Sequence, residues 1–273
     1  MAFRAKSRFC AVVAAALLST AGIAQAASQC GNNSAGFKEW IQDYKQVAQA
    51  QGRGSRAIRA LDGLSYATKT INADRNQKSF KYSLDRFMQV RGAQTIISRG
   101  RKFKAQNAAL FDRLEQRYGV PAGPLIAIWG METGFGSYMG NQNTLSAVAT
   151  LAYDCRRSDY FRNQLDAALQ LVDNGTLSPD ARGAMHGEIG QTQFLPVNVL
   201  RYGADGDGNG RIDMVRSKAD ALASTANFLV GHGWRRGAGY QPGQANFGAI
   251  QGWNAASVYQ QAIAIMGAKI DGE

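Results

Sequence analysis

The sequence predicts a mainly α fold. Apolar residues recur at helical spacing through most of the chain, and no segment alternates apolar and polar residues over the length of a strand. Turn-forming pairs such as Asn174-Gly175 and Ser178-Pro179 fall between the periodic runs. There are no internal repeats or low-complexity tracts, and there is room for one small β-hairpin at most.

Residues 1–26 read as a secretory signal. Arg4, Lys6 and Arg8 form a basic start, an apolar core runs from Cys10 through Leu18, and Ala24-Gln25-Ala26 offers a small-x-small cleavage pattern. The apolar run is shorter than the ~18 residues of a membrane span. Ala27-Ser28-Gln29, ahead of Cys30, lacks the pattern of a lipid-anchor site. The expectation is a soluble, monomeric, periplasmic protein beginning near Ala27. That leaves roughly 247 residues, enough for one large domain or for a large one with a small companion.

Phe37, Trp40, Ile41 and Tyr44 then share one helix face, and Ser55 is placed to cap a short helix bearing Ile58 and Leu61. Residues 63–80 are polar and predicted irregular or briefly extended. Helical patterning returns over 84–118 and stops at Gly119-Val120-Pro121, where the next helix starts. Leu165, Leu169 and Val172 mark a further helix, and alanine-rich helices at 220–230 and 257–268 follow.

The full sequence has 31 basic and 20 acidic residues, a net charge of +11. Losing Arg4, Lys6 and Arg8 with the signal leaves 28 against 20, or +8. A cationic exported protein suits an anionic partner, whether wall polymer, membrane surface or nucleic acid. Nucleic acid ranks last, because RNP-like aromatic motifs, zinc-finger spacings and Lys/Arg blocks are all missing from the sequence. Cys30 and Cys155 remain in the mature chain, and an oxidising compartment favours a disulfide between them. Left unpaired, Cys155 with His186 or His232 would instead suggest a thiol hydrolase.

The chemistry concentrates in residues 125–154. Leu125, Ile128, Trp129 and Glu132 fall at i, i+3, i+4 and i+7, which places a carboxyl group at the end of a core-facing stripe. Poor hydration there disfavours the charged form and would keep Glu132 available as a proton donor. The competing reading is an ordinary exposed glutamate at a helix C-terminus. Glycines at 134, 136 and 140 follow at once.

METGFGSYMGNQNTLSAVATLAYD (131–154) resembles the catalytic segment of MltB-type lytic murein transglycosylases. The resemblance continues in order through DYF (159–161), GQTQFLP (190–196), DGDGNGRID (205–213), the run from Ala226-Asn227-Phe228 to Gly231-His232-Gly233-Trp234, and NFGAIQGWNAASVY (246–259). Weaker matches lie in RNQKSF (75–80) and RYGVP (117–121). The resemblance implies a lysozyme-like α domain over 27–265, with an N-terminal helical part over about 35–116 and a tail at 266–273. It also implies cleavage of peptidoglycan between N-acetylmuramic acid and N-acetylglucosamine, with the muramyl 6-hydroxyl closing on its own anomeric carbon. Glu132 would be the one acid/base. Gln193 would contact sugar, and Trp253, Asn254 and Tyr259 would line the cleft near Glu132. Tyr259 is the better candidate to hydrogen-bond the carboxylate, since Trp253 stands where the family has a tyrosine and loses its hydroxyl. Phe135 and Tyr138 are expected as subsite walls or as loop anchors. Ala184 replaces a serine the family often has near its glutamate, and Glu188 replaces a small residue. Glu188 or Asp154 as a second carboxylate would support hydrolysis instead. A silent wall-binding scaffold is the other alternative.

Asp205, Asp207 and Asn209 occupy positions 1, 3 and 5 of an EF-hand-like loop, Gly210 supplies its turn, and Asp213 stands at position 9. Arg216 occupies position 12, where calcium wants a bidentate acid. Two readings remain at this point, a structural calcium site or a turn-rich loop held by Asx hydrogen bonds. The implied chemistry requires no cofactor.

Overall fold

The computed structural model describes residues 29–76 and 82–272. The signal at 1–26, the expected start at Ala27 and part of RNQKSF lie outside the described residues. The mainly α expectation holds. Among the described residues six helices come first: α1 (Phe37–Ala50), α2 (Ser55–Ala60), α3 (Thr68–Arg75), α4 (Leu84–Val90), α5 (Ala93–Gln106) and α6 (Ala108–Tyr118). Then follow α7 (Ala122–Thr133), β1 (Gln142–Asn143), α8 (Thr144–Tyr153), α9 (Ser158–Asp173) and β2 (Arg182–Gly183). The chain closes with α10 (Pro196–Tyr202), α11 (Lys218–Gly231), α12 (Phe247–Trp253) and α13 (Ser257–Asp271).

Helix α7 is buried on nearly every face, with Glu132 the one residue of the helix outside the buried set. It is therefore a core helix and not an amphipathic one. Every residue of α8 is buried as well. Helix α13 lies along α7 so closely that a Cβ on Gly123 would overlap the Gly267 carbonyl. At the far end, Asp271 accepts the Gly123 N–H at 2.9 Å, together with Lys104 Nζ at 2.8 Å and the Tyr240 hydroxyl at 3.0 Å. A carboxylate at a helix N-terminus satisfies an orphan donor and complements the helix dipole. Residues 266–271 are consequently the last turns of α13 and not a tail, with Met266, Gly267 and Ile270 in the core.

Three other expectations change. Residues 63–80 are not simply irregular, since α3 forms within them. Its Thr70, Ile71 and Asp74 are buried, and Ala67 N–H donates to Thr150 Oγ1 of α8 at 2.8 Å. The stretch looks polar because its buried face carries an ion-paired aspartate. Ser55 does not cap α2; Asp173, far along the chain, accepts Gly54 N–H at 2.7 Å and Ala57 N–H at 3.1 Å. The one small sheet among the described residues is antiparallel, with Gln142 opposite Gly183, but α8 and α9 intervene between its strands, so it is not a hairpin.

Cys30 and Cys155 are joined by a disulfide, and beside it Gly31 N–H donates to the Tyr153 carbonyl at 2.9 Å. Cys155 is thus not a free nucleophile, which removes the thiol-hydrolase reading. Among the described residues no helix is long and apolar enough to cross a membrane.

The bridge spans 125 residues of sequence. Reduction is expected to destabilise the folded state by about 2–4 kcal/mol in urea titrations run with and without reductant. Superimposable curves would contradict this.

Candidate active site

Glu132 lies in the last turn of α7, which Gly134 ends in the left-handed conformation (φ 58°). The loop after it is stapled by Thr133, whose hydroxyl donates to the Gln191 carbonyl at 2.6 Å and accepts Gly136 N–H at 2.9 Å. Two side chains from the C-terminal helices meet the carboxylate. Tyr259 Oη donates to Glu132 Oε1 at 2.7 Å, and Trp253 Nε1 donates to the same oxygen at 2.9 Å. The other oxygen, Oε2, is engaged by neither.

Burial raises the Glu132 pKa above the ordinary carboxylate value. The hydrogen bonds from Tyr259 and Trp253 and the Arg91 cation oppose that rise, and the nearby Glu188 charge adds to it. Burial and Glu132 together push the Tyr259 phenol well up, so it stays a donor. Trp253 therefore does more than stack. The sequence favoured Tyr259 for the contact with the carboxylate, and the indole N–H of Trp253 supplies a second donor to the same oxygen.

The remaining expected residues divide. Gln193 sits at positive φ (57°), and its Nε2 donates to the Gly190 carbonyl at 2.8 Å and to Met139 at 3.4 Å. Its amide nitrogen structures the loop, and only the amide oxygen is left for a ligand. Asn254 Oδ1 accepts Ala256 N–H at 2.9 Å, and its carbonyl accepts Gln260 Nε2 at 2.7 Å. It shapes the α12–α13 turn that presents Trp253 and Tyr259. Phe135 is also at positive φ (66°), edge-on to Trp129 with ring centres 5.2 Å apart and under the Arg99 guanidinium at 4.6 Å. It is anchored, whereas the Tyr138 side of the loop is open, with that residue 68% exposed.

Sequence reasoning missed Gln191. Its Oε1 accepts Trp129 Nε1 at 3.1 Å, and its Nε2 donates to the Val215 carbonyl at 3.1 Å, tying α7 to the 205–216 loop. Two glutamines in one GQTQF motif gave no signal as to which is buried. Asp154 is buried and accepts Arg75 Nη2 at 2.8 Å and Arg156 N–H at 2.9 Å, so it does not serve as a second carboxylate beside Glu132. Glu188 Oε2 accepts His186 N–H at 2.9 Å, and its Oε1 lies 3.2 Å from His186 Nδ1. Burial alone would raise its pKa, but the His186 contacts and backbone donors outweigh this and hold it below the usual range. Ala184 contributes a backbone N–H to the Glu188 carbonyl at 3.2 Å.

In the 205–216 loop, Asp205 takes Gly208 N–H at 2.6 Å and Gly210 N–H at 2.7 Å, while Asp213 takes Val215 and Arg216 N–H. Carboxylate oxygens of Asp205, Asp207 and the buried Asp220 lie within 4.8 Å of one another. Asp220 also accepts Gly206 and Asp213 N–H, and it lies beyond the twelve-residue pattern, where motif spacing could not find it. All-oxygen acidic donors fit a hard cation, and Arg216, 89% exposed in its side chain, lies 4.0 Å from Asp213 Oδ2. Asp213 is not in the converging set; Asp220 takes that place. A cavity of about 980 Å³ lies between this loop and residues 174–182, floored by Leu171, Leu177, Val199 and Met214, and Glu132 does not line it.

The transglycosylase SLT domain family matches residues 36–244. Membrane-bound lytic murein transglycosylase B of Escherichia coli (strain K12) is 34% identical over 143 residues, which are 52% of this chain and 39% of that protein. The match thus spans about two-fifths of that relative's length. SltB3 from Pseudomonas aeruginosa, solved with NAG-NAM-pentapeptide, superposes with a TM-score of 0.81 at 28% identity over 87% of this chain and 80% of its own. Escherichia coli Slt35, solved with calcium, shares the fold, with a TM-score of 0.74 at 23% identity over 89% and 96%.

Tyr259→Phe removes a donor that favours the ionised form of Glu132. The Glu132 pKa is therefore expected to rise further, read by NMR titration of side-chain-labelled glutamate. An unchanged or lowered pKa would contradict the assigned hydrogen bond.

Proposed function

Because the chain belongs to the transglycosylase SLT domain family, we propose that it cleaves the N-acetylmuramic acid–N-acetylglucosamine bond of peptidoglycan and leaves 1,6-anhydromuramyl ends. One observation carries the reading: Glu132, the one half-buried residue of a buried helix, has a raised pKa, with a phenol and an indole both donating to Oε1.

In the first step Glu132 gives its proton to the glycosidic oxygen as the bond from that oxygen to the muramyl anomeric carbon breaks. Positive charge develops at the anomeric carbon, and Glu132 becomes a carboxylate. Tyr259 and Trp253 stabilise that anion, which is the state their hydrogen bonds favour. In the second step the muramyl 6-hydroxyl oxygen bonds to the anomeric carbon, and the Glu132 carboxylate takes the hydroxyl proton. The acid is regenerated and no water is consumed. Attack within one sugar has an effective concentration far above any free nucleophile, so one carboxylate can serve both steps.

Hydrolysis through Glu188 is the second reading, favoured by its influence on Glu132. Against it, both Glu188 oxygens already engage His186. Export through residues 1–26 and action on wall strands in the periplasm complete the proposal, with the cationic balance of the chain suiting an anionic polymer. A cation at Asp205, Asp207 and Asp220 would hold that loop together and take no part in bond cleavage.

Mass spectrometry of fragments released from purified peptidoglycan tests this. Wild type should give anhydromuramyl ends, and Glu132→Gln should lose about 10²–10⁴-fold in rate. Reducing ends from wild type, or an active variant, would contradict the mechanism. EDTA is expected to leave the rate unchanged, with any effect of added calcium falling on the melting temperature. A rate that collapses in EDTA would overturn the structural role.

A further inference from the structure

A chain of ionisable side chains plays no part in the proposed steps. Asp74, buried on α3, accepts Arg156 Nη1 at 2.7 Å and pairs with Arg157 through its other oxygen. His186 Nε2 is shut off from solvent 3.7 Å from that carboxylate, without a hydrogen-bond partner of its own. Across the ring, Nδ1 meets Glu188 Oε1, while the backbone N–H of His186 meets Glu188 Oε2. Glu188 is thus gripped at both oxygens by one residue. Between them Gly187 is at positive φ (89°) and pressed so closely on Val148 of α8 that a Cβ there would overlap it. A side chain at position 187 is therefore excluded.

The grip also continues toward Glu132. Ile189, next in sequence, exchanges backbone hydrogen bonds with Phe194 at 2.7 and 3.1 Å. The Phe194 ring packs on Trp253 with centres 5.4 Å apart, and Trp253 donates to Glu132.

We propose that Asp74, His186 and Glu188 form a carboxylate–imidazole–carboxylate relay that makes Glu188 a positioning residue for Glu132. Its negative charge adds to the burial that favours the protonated form of Glu132 and opposes the pull of Arg91. The relay rests on the reading of Glu132 as the acid/base. Among the described residues, the groups acting on Glu132 are Tyr259 of α13, Trp253 of α12, Arg91 at the end of α4, and Glu188. Those around His186 are Asp74 and Glu188, and Asp74 is held by Arg156 and Arg157. Burial is the larger cause of the raised Glu132 pKa, and Glu188 contributes in the same direction. A glycan in the cleft would displace water and lower the local dielectric, which strengthens the coupling.

The sign is fixed. Glu132 acts protonated, so activity falls as pH rises through its pKa, and loss of the Glu188 charge lowers that pKa. In Glu188→Gln, the NMR titration of Glu132 and the alkaline limb of kcat/KM should both move to lower pH. Glu188→Asp, which keeps the charge, should move them less. In a His186→Ala background, where Glu188 is released, Glu188→Gln should have a smaller effect than in wild type. Unchanged titration in Glu188→Gln would overturn the positioning role, and equal shifts in both backgrounds would overturn the relay. A Glu188→Gln protein that is inactive at every pH, with Glu132 titrating as before, would make Glu188 a reacting group and overturn the proposal too. The titration needs no turnover, so a wild type that cleaves nothing would sink the proposed function while the relay is still judged.

Discussion

The hydrogen bonds from Tyr259 and Trp253 into one oxygen of Glu132 join the two parts of the chain that matter most to the site. The carboxyl group comes from α7, a helix buried on nearly all sides, and both donors come from the last helices, more than a hundred residues later. A carboxyl at the end of a buried helix is poorly hydrated and tends to stay protonated, while donors aimed at it favour its ionised form. Between these opposed pulls the group is able to give a proton and then carry the charge that remains.

The rest of the core holds that balance in register. Gly123 and Gly267 let α7 and α13 approach at backbone distance, and Asp271 closes the α7 N-terminus from the end of the same helix that presents Tyr259. At the other end, Thr133 and Gln191 clamp the loop after Glu132 to the GQTQF segment. That segment fixes Phe194 against Trp253, so the indole donor and the Glu132 carboxyl group belong to one packing unit. Core packing is dense and discrete, and a small change at either helix would be felt at the carboxylate.

Helical periodicity was enough to read the mainly α class, and the ordered motifs pointed to Glu132, Trp253 and Tyr259. What was not legible depends on contacts distant in sequence. Helix α3 reads as a polar stretch because its buried Asp74 is paid for by arginines eighty residues away. The cap of α2 is Asp173 and not the adjacent Ser55. Asp220 joins Asp205 and Asp207 only through the fold of the intervening loop. The indole of Trp253 looked like a loss when compared letter by letter with a tyrosine, yet its N–H reaches the same oxygen. The stripe containing Glu132 put its carboxyl group at the end of a core helix for an incomplete reason, since α7 is buried all round and has no polar face to oppose it.

The central claim is that one carboxylate serves both steps and that the substrate supplies its own nucleophile. Digestion of purified peptidoglycan in water enriched in oxygen-18 tests it directly, because a hydrolysed bond must take its new oxygen from solvent. The account predicts newly formed muramyl ends that are anhydro and carry no label. Label at the muramyl anomeric carbon in the primary product would show that water attacked, and would contradict the account.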